Sequence, residues 1–327
     1  MLDDRGSSSG QSLVKAVVRD RYGSTEVLGV EDIDAPVVGA EDVLVRVRAT
    51  SLNLSDWECL IGSPAYSRVG GRRRVLGSDI AGTVEAIGAE VTRFAVGDEV
   101  YGDNLGRMGG FAELATAPES VLAHKPSELT FVQASTLPQA GAIAVQGTAL
   151  AAPGRRMLIN GAGGGSGSFA IQLAKAAGAE VVAVDNAEKL DFMRSLGADE
   201  VVDYRVRDVT RDRGSYDVVL DMVAHRNPFA YRRMLAPAGT YRCAGGSVPA
   251  LLGVATVGAV AAKATRRSVG VLMVKTGPER FGPLAAQCVS GEVDIHIDRT
   301  FALDEVPDAL RYLGDGHALG KVVVEIP

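Results

Sequence analysis

The residues best suited to chemistry lie in Asn160-Gly161-Ala162-Gly163-Gly164-Gly165-Ser166-Gly167. An apolar run, Met157-Leu158-Ile159, precedes this stretch, and a helical pattern from Phe169 to Ala177 follows it. The loop therefore joins a strand to a helix. Ala162, Gly164 and Gly167 set an Ala-x-Gly-x-x-Gly spacing, with Gly163, Gly165 and Ser166 between them. Small residues there let backbone approach a pyrophosphate, and free amides at a helix N-terminus complement its charge. Glycines alone also make linkers; the strand-to-helix setting is what points to a dinucleotide. Asp185 ends the next strand, 18 residues beyond Gly167. A carboxylate there accepts hydrogen bonds from the adenosine ribose and repels a 2′-phosphate, which favours NADH over NADPH. The alternative is a helix N-cap, because Asp185-Asn186 precede a helical pattern.

A second group of polar residues is Asn53-Leu54-Ser55-Asp56, followed by Gly77-Ser78-Asp79-Ile80-Ala81-Gly82-Thr83-Val84 and Gly97-Asp98-Glu99-Val100. This frame resembles the medium-chain dehydrogenase/reductase superfamily, whose zinc-dependent members carry Cys-x-Ser/Thr-Asp and Gly-His-Glu-x-x-Gly-x-Val at these places. Here Asn53 stands in for the thiolate and Ser78 for the imidazole, and neither residue type serves as a catalytic zinc ligand. The ten residues Tyr101 to Gly110 contain no cysteine, so the structural zinc lobe is missing as well. The chain is thus similar, from Leu13 to Pro327, to the zinc-free branch that contains quinone oxidoreductases and related enone and enoyl reductases.

That resemblance implies a β-rich GroES-like catalytic domain beside a Rossmann domain, NAD(P)H as cofactor with no zinc, and a quinone or α,β-unsaturated carbonyl as substrate. It places Lys189 and Tyr204-Arg205 on the 2′-phosphate side of NADPH, which keeps NADPH open as the alternative coenzyme. It puts Tyr66 near a tyrosine of enoyl reductases, and Glu58 or a neighbour at the position of the alcohol dehydrogenase proton-relay histidine. A threonine that often meets the nicotinamide amide is replaced by Ile143, leaving backbone near Gly246 and Leu272-Met273 to hold the ring. Without a Lewis acid, developing negative charge must be met by hydrogen-bond donors. Asn53, Ser55, Ser78 and Tyr66 are the candidates. The bland readings are a turn residue for Asn53, internal caps or ion-pair partners for Asp56 and Asp79, and a half-buried aromatic for Tyr66.

These residues must be positioned by two patterns. From Leu13 to about Ser127, short apolar runs such as Val43-Leu44-Val45-Arg46-Val47 are broken by Gly, Pro and Asp, which predicts an antiparallel β-rich domain. From about Leu129 the rhythm becomes strand, glycine turn and helix, which predicts a doubly wound parallel sheet ending with a strand over Val269 to Val274. The expected division is a disordered tail over 1–12, a GroES-like domain over 13–128 and 277–327, and a Rossmann domain over 129–276.

A length of 327 residues suits two cores, and 46% hydrophobic residues with 39 glycines suit an Ala/Val/Gly-rich α/β protein. The net charge of −6 offers no broad basic surface for nucleic acid, and Arg72-Arg73-Arg74 reads as a solvated loop. Cys59, Cys243 and Cys288 form no Cys-x-x-Cys pair and read as reduced thiols of a cytosolic protein. The apolar run Ala250 to Ala262 is too short to span a bilayer and reads as a helix at a domain or subunit contact. A homodimer is expected. His124, His225, His296 and His317 lack ligand spacing. No tyrosine has a lysine four residues later, which argues against a short-chain dehydrogenase. The competing readings are a zinc-free carbonyl reductase or alcohol dehydrogenase, and a nucleotide-binding regulator without turnover.

Overall fold

The computed structural model describes residues 12–258 and 266–327. Most of the expected tail, and the end of the Ala250 to Ala262 run, lie outside the described residues. Within that run, Val248–Gly253 is α-helical and Val254–Gly258 continues as a π-turn.

The fold is α/β, with two large sheets. The first holds β3 (Asp42–Ser51), β4 (Asp79–Ile87), β5 (Glu99–Asp103), β6 (Leu114–Pro118) and β7 (Leu122–His124), joined by β14 (Ile297–Ala302) and β15 (Lys321–Glu325) from the end of the chain. Its order is β14-β15-β3-β4-β5-β7, with β6 also on β3, and a separate hairpin pairs β1 (Leu13–Arg19) with β2 (Leu28–Asp34). Inward-facing Val43, Val45 and Val47 pack with Val100, Phe111, Leu310 and Val324, so strands distant in sequence share one core.

The second sheet is parallel, built from β8 (Arg156–Asn160), β9 (Glu180–Asp185), β10 (Glu200–Asp203), β11 (Tyr216–Asp221), β12 (Leu235–Cys243) and β13 (Ser268–Val271) in the order β10-β9-β8-β11-β12-β13. This is the doubly wound arrangement, reversing direction between β8 and β11, where such sheets bind ligands. Met157 to Ile159 and Val181 to Val184 are all buried, as strands covered on both faces require. The last strand is shorter than predicted: pairing with β12 stops at Val271, and Met273 is exposed.

Helix α1 (Leu54–Ile61) follows β3, and α2 (Phe131–Ser135) lies against the first sheet. Helices α3 (Pro138–Gly147) and α4 (Gly165–Ala176) pack on each other. The helix Pro278–Ser290 inserts Phe281 and Leu284 into the core that contains Met157, Ile159 and Phe169. The chain then joins the first sheet at β14, which contains Phe301 and Ala302. The periodicity of that helix does not reveal which sheet it covers.

Candidate active site

The glycine loop leaves the C-terminal end of β8, and Gly165 to Gly167 form the first turn of α4, four residues before the apolar pattern begins. A Cβ on Gly167 would lie 2.4 Å from the Ala162 carbonyl oxygen, so only glycine lets the helix sit this close to the strand. Gly164 differs: a Cβ there would meet only Gly161 O, at 3.6 Å. Space is open above Gly164, at the N-terminus of a helix and at the switch point of the sheet. Beyond the ends of β8, β9 and β11 lies a hollow lined by Asn160, Tyr204, Asp208, Thr210, Asp221 and His225. The loop, open at Gly164 and at the N-terminus of α4, fits a pyrophosphate in its chemistry, and Tyr204 lines the hollow.

Asp185 does not cap the following helical turn. Asn186 does, its side chain accepting from Glu188 N at 3.1 Å. Asp185 instead turns back, accepting from Gly163 N at 2.9 Å, and the buried Lys189 ammonium lies 3.8 Å from its carboxylate. Tyr204 is exposed, with the Arg205 guanidinium 5.6 Å from its ring centre. Gly246 lies just beyond β12 with φ of 140°, and a Cβ there would come within 2.2 Å of Ala224 O. Leu272 N donates to Cys243 O, which fixes the backbone past β13.

Facing the loop is a buried polar cluster from the first sheet. Asn53 precedes α1; its backbone N donates to Asp56 Oδ2 at 2.8 Å. Its side-chain Nδ2 donates to Ser78 Oγ at 3.1 Å and to Asp79 Oδ2 at 2.8 Å, and its Oδ1 accepts from Lys321 Nζ at 2.8 Å. Ser78 N donates to Asp56 Oδ1 at 3.0 Å, while Asp79 also accepts from Ser51 Oγ and from Gln139 N. Ser55 Oγ donates to Gln139 Oε1 at 2.8 Å. Both amide hydrogens of Asn53 and the hydroxyl hydrogen of Ser55 are therefore already engaged, so neither is a free donor to a substrate.

Lys321 is 1% exposed and begins β15, directly after Gly320, whose N donates to Gly163 O at 3.0 Å. Its Nζ also donates to Leu52 O and lies 3.7 Å from Asp79 Oδ2. One ammonium thus faces the buried carboxyls Asp56, Asp79 and Asp103. Burial pushes Asp56 and Asp103 up to about 7, raises Asp79, and lowers Lys321. Lys321 and Gln139 were not anticipated from the sequence. The only local signal for Lys321 was a Gly-Lys pair ahead of an apolar strand.

This cluster does not fit zinc. An amide, a hydroxyl and an ammonium occupy the space, and no group of three or more His, Cys, Asp or Glu among the described residues is placed to hold a metal ion.

Tyr66 lies on the short turn Ala65–Arg68. Its hydroxyl donates to Glu58 Oε1 at 3.1 Å and is 3.4 Å from Gly246 O, bridging from the first sheet to the second. Burial pushes Glu58 up to about 7, with the Tyr66 hydrogen bond opposing that shift. Burial and the Glu58 charge raise Tyr66. Ile143 is half-buried on α3. No helix among the described residues is long and apolar enough to cross a membrane.

A parallel nucleotide-binding sheet beside a β-rich sheet, with the polar cluster at their junction, defines a two-domain dehydrogenase architecture. Residues 39–127 match the alcohol dehydrogenase GroES-like domain, and residues 196–324 match the zinc-binding dehydrogenase family. The chain belongs to the medium-chain dehydrogenase/reductase family, in its quinone oxidoreductase-like branch. It is 33% identical to the 2-methylene-furan-3-one reductase of Solanum lycopersicum, over 97% of this chain and 80% of that protein. It is 34% identical to the chloroplastic NADPH-dependent alkenal/one oxidoreductase of Arabidopsis thaliana, over 95% of this chain and 79% of that protein. The solved quinone oxidoreductase from Coxiella burnetii superposes with a TM-score of 0.87 at 27% identity, covering 97% of this chain and all of that one.

Proposed function

We propose that this chain is an NAD(P)H-dependent oxidoreductase that reduces quinones or α,β-unsaturated carbonyl compounds without zinc. The observation that carries this reading is the meeting of a glycine cradle open at Gly164 with a proton-bearing hydroxyl, Tyr66, at the same junction. A reduced nicotinamide supplies hydride when bound. Ala162, Gly163, Gly164, Gly165, Ser166 and Gly167 hold the pyrophosphate, Asp185, Lys189 and Tyr204 border the adenosine end, and Gly246 and Leu272 present backbone to the nicotinamide. Tyr66 protonates the anion left on the substrate. Asn53 and Ser55 form the wall beneath it, fixed by Lys321 and Gln139 rather than donating themselves. A conjugated acceptor suits such a site because its negative charge is delocalised as an enolate or hydroquinone anion, which one hydroxyl can stabilise. The names of relatives that reduce furanones, alkenals and quinones support this substrate class.

The same reading assigns Tyr66 and Asn53 to a GroES-like domain over 13–128 and 277–327, and the cradle to a Rossmann domain over 129–276. It takes NADH as the preferred coenzyme on the strength of Asp185, and a cytosolic setting on that of three unpaired thiols. A homodimer is supported by the edge position of β13 among the described strands; light scattering should give about twice the 34.1 kDa chain mass. The test of function is oxidation of NADH and NADPH in the presence of quinones, enals, enones and simple aldehydes. Turnover with the conjugated acceptors and little with saturated aldehydes is expected. Turnover confined to saturated aldehydes would overturn it.

A further inference from the structure

We propose that Glu58 is a positioning residue whose protonation state decides whether Tyr66 can give its proton to substrate. This rests on the reading of Tyr66 as proton donor. The Tyr66 hydroxyl has one hydrogen and two acceptors in reach, Glu58 Oε1 at 3.1 Å and Gly246 O at 3.4 Å. When Glu58 is ionised, its carboxylate is the stronger acceptor and holds that hydrogen away from the cleft. When Glu58 is protonated, its carboxyl donates to the phenolic oxygen, and the Tyr66 hydrogen turns toward Gly246 O and the substrate.

Among the described residues no charged side chain pairs with Glu58, and Arg19 of β1, which reaches the end of α1, directs its Nη1 to Cys59 O and Leu60 O. On α1 the neighbouring Cys59 thiol is pushed up to about 11 by burial and stays neutral, while its Sγ faces Ser67 O. On the turn that carries Tyr66, Arg68 directs its Nε to Gly62 O. On the helix Val306–Gly314, which packs against α1, Arg311 engages Asp308 and Thr25, and Tyr312 donates to Asp298. Among the described residues of the second sheet, the Gly246 carbonyl is the group within hydrogen-bond reach of Tyr66. Glu58 is thus desolvated beside a neutral phenol, which is why its carboxyl titrates near 7 rather than in the ordinary range.

Hydride from NAD(P)H leaves an enolate on an enone; the Tyr66 O–H bond breaks as the product C–H bond forms. The Glu58 carboxyl O–H then reprotonates the phenolate, and the Glu58 carboxylate recovers its proton from water.

Two measurements test this. In the coenzyme-free protein, carbon-13 NMR of labelled glutamate carboxyls, with Glu58→Gln for assignment, should show Glu58 titrating near 7, and Tyr66→Phe should move it higher by removing a bond to the charged form. A Glu58 that titrates with the other glutamates, or is indifferent to Tyr66→Phe, overturns the proposal whether or not any substrate is turned over. With an enone, wild-type kcat should fall by about tenfold per pH unit above about 7. Glu58→Gln, whose amide donates to the phenol at every pH, should lose that fall, and Tyr66→Phe should be slow throughout. A Glu58→Gln profile that keeps the fall also overturns it. Failure of every acceptor would instead overturn the proposed function and leave the NMR result standing.

Discussion

In the proposed function Asp185 carries the coenzyme choice, as a ribose contact rather than as the helix cap that its neighbourhood also allows: the cap is Asn186, and Asp185 accepts a hydrogen bond from the Gly163 amide. It remains at the end of β9, where a 2′-phosphate would meet its charge. Asp185→Ser should shift the kcat/KM ratio toward NADPH, by removing repulsion and by releasing Lys189 to pair with the phosphate. Lys189→Ala in the serine background should take back part of that shift; equal ratios in all three proteins would show that Asp185 serves only the loop. Gly164→Val offers a cleaner test of the cradle. With nothing closer than 3.6 Å to a Cβ and φ of −88°, the apo fold should tolerate the change. Fluorescence titration should show loss of NADH and NADPH binding with an unchanged circular dichroism spectrum. The glycine loop was legible because close approach imposes small residues on a continuous stretch.

At the scale of elements, the Gly320–Gly163 hydrogen bond ties the loop before α4 to the start of β15, and Lys321 ties β15 to Asn53 and Leu52, 268 and 269 positions away in the chain. Nothing local in a Gly-Lys-Val-Val sequence announces a buried ammonium, whereas the apolar run Val43 to Val47, the Met157 to Ile159 strand and the glycine loop after it are legible in the residues themselves. The polar frame of Asn53, Ser55 and Ser78 was visible, but its donors were expected to face substrate. The carboxyls of Asp56 and Asp79, which need satisfying partners in a dry interior, turn Ser78 and Asn53 inward, and the Gln139 amide oxygen engages Ser55. Lys321→Met should cost about 3–5 kcal/mol, because it leaves Asp79 buried and unpaired. Adding Asp79→Asn should recover part of that loss in urea denaturation. A Lys321→Met protein of wild-type stability would mean that the pair is not formed in solution.

Across the whole molecule, the buried carboxyls set a pH dependence of stability. Asp56, Asp103 and Glu58 have folded-state values near 7, above their ordinary values. Their folded forms bind protons more tightly than the unfolded chain does. The stability they contribute is full below their unfolded values and is lost as pH rises through about 7. Lys321, lowered by burial, works in the opposite sense at higher pH. The urea midpoint should therefore decline between about pH 4 and about pH 7, and Asp103→Asn should flatten part of that decline. A midpoint that rises across this window would place the carboxyls in an ionised, well-paired state.

The central claim, hydride delivery to a conjugated acceptor without zinc, is tested most directly by one labelling experiment on metal-quantified, chelator-treated protein. The coenzyme that supports turnover is deuterated at its transferable position and offered with an enone, and the product is read by NMR. The expected result is a saturated ketone carrying deuterium on the β-carbon, formed by protein holding far less than one zinc per chain. An allylic alcohol with deuterium on the carbinol carbon, or turnover that appears only when zinc is restored, would contradict it.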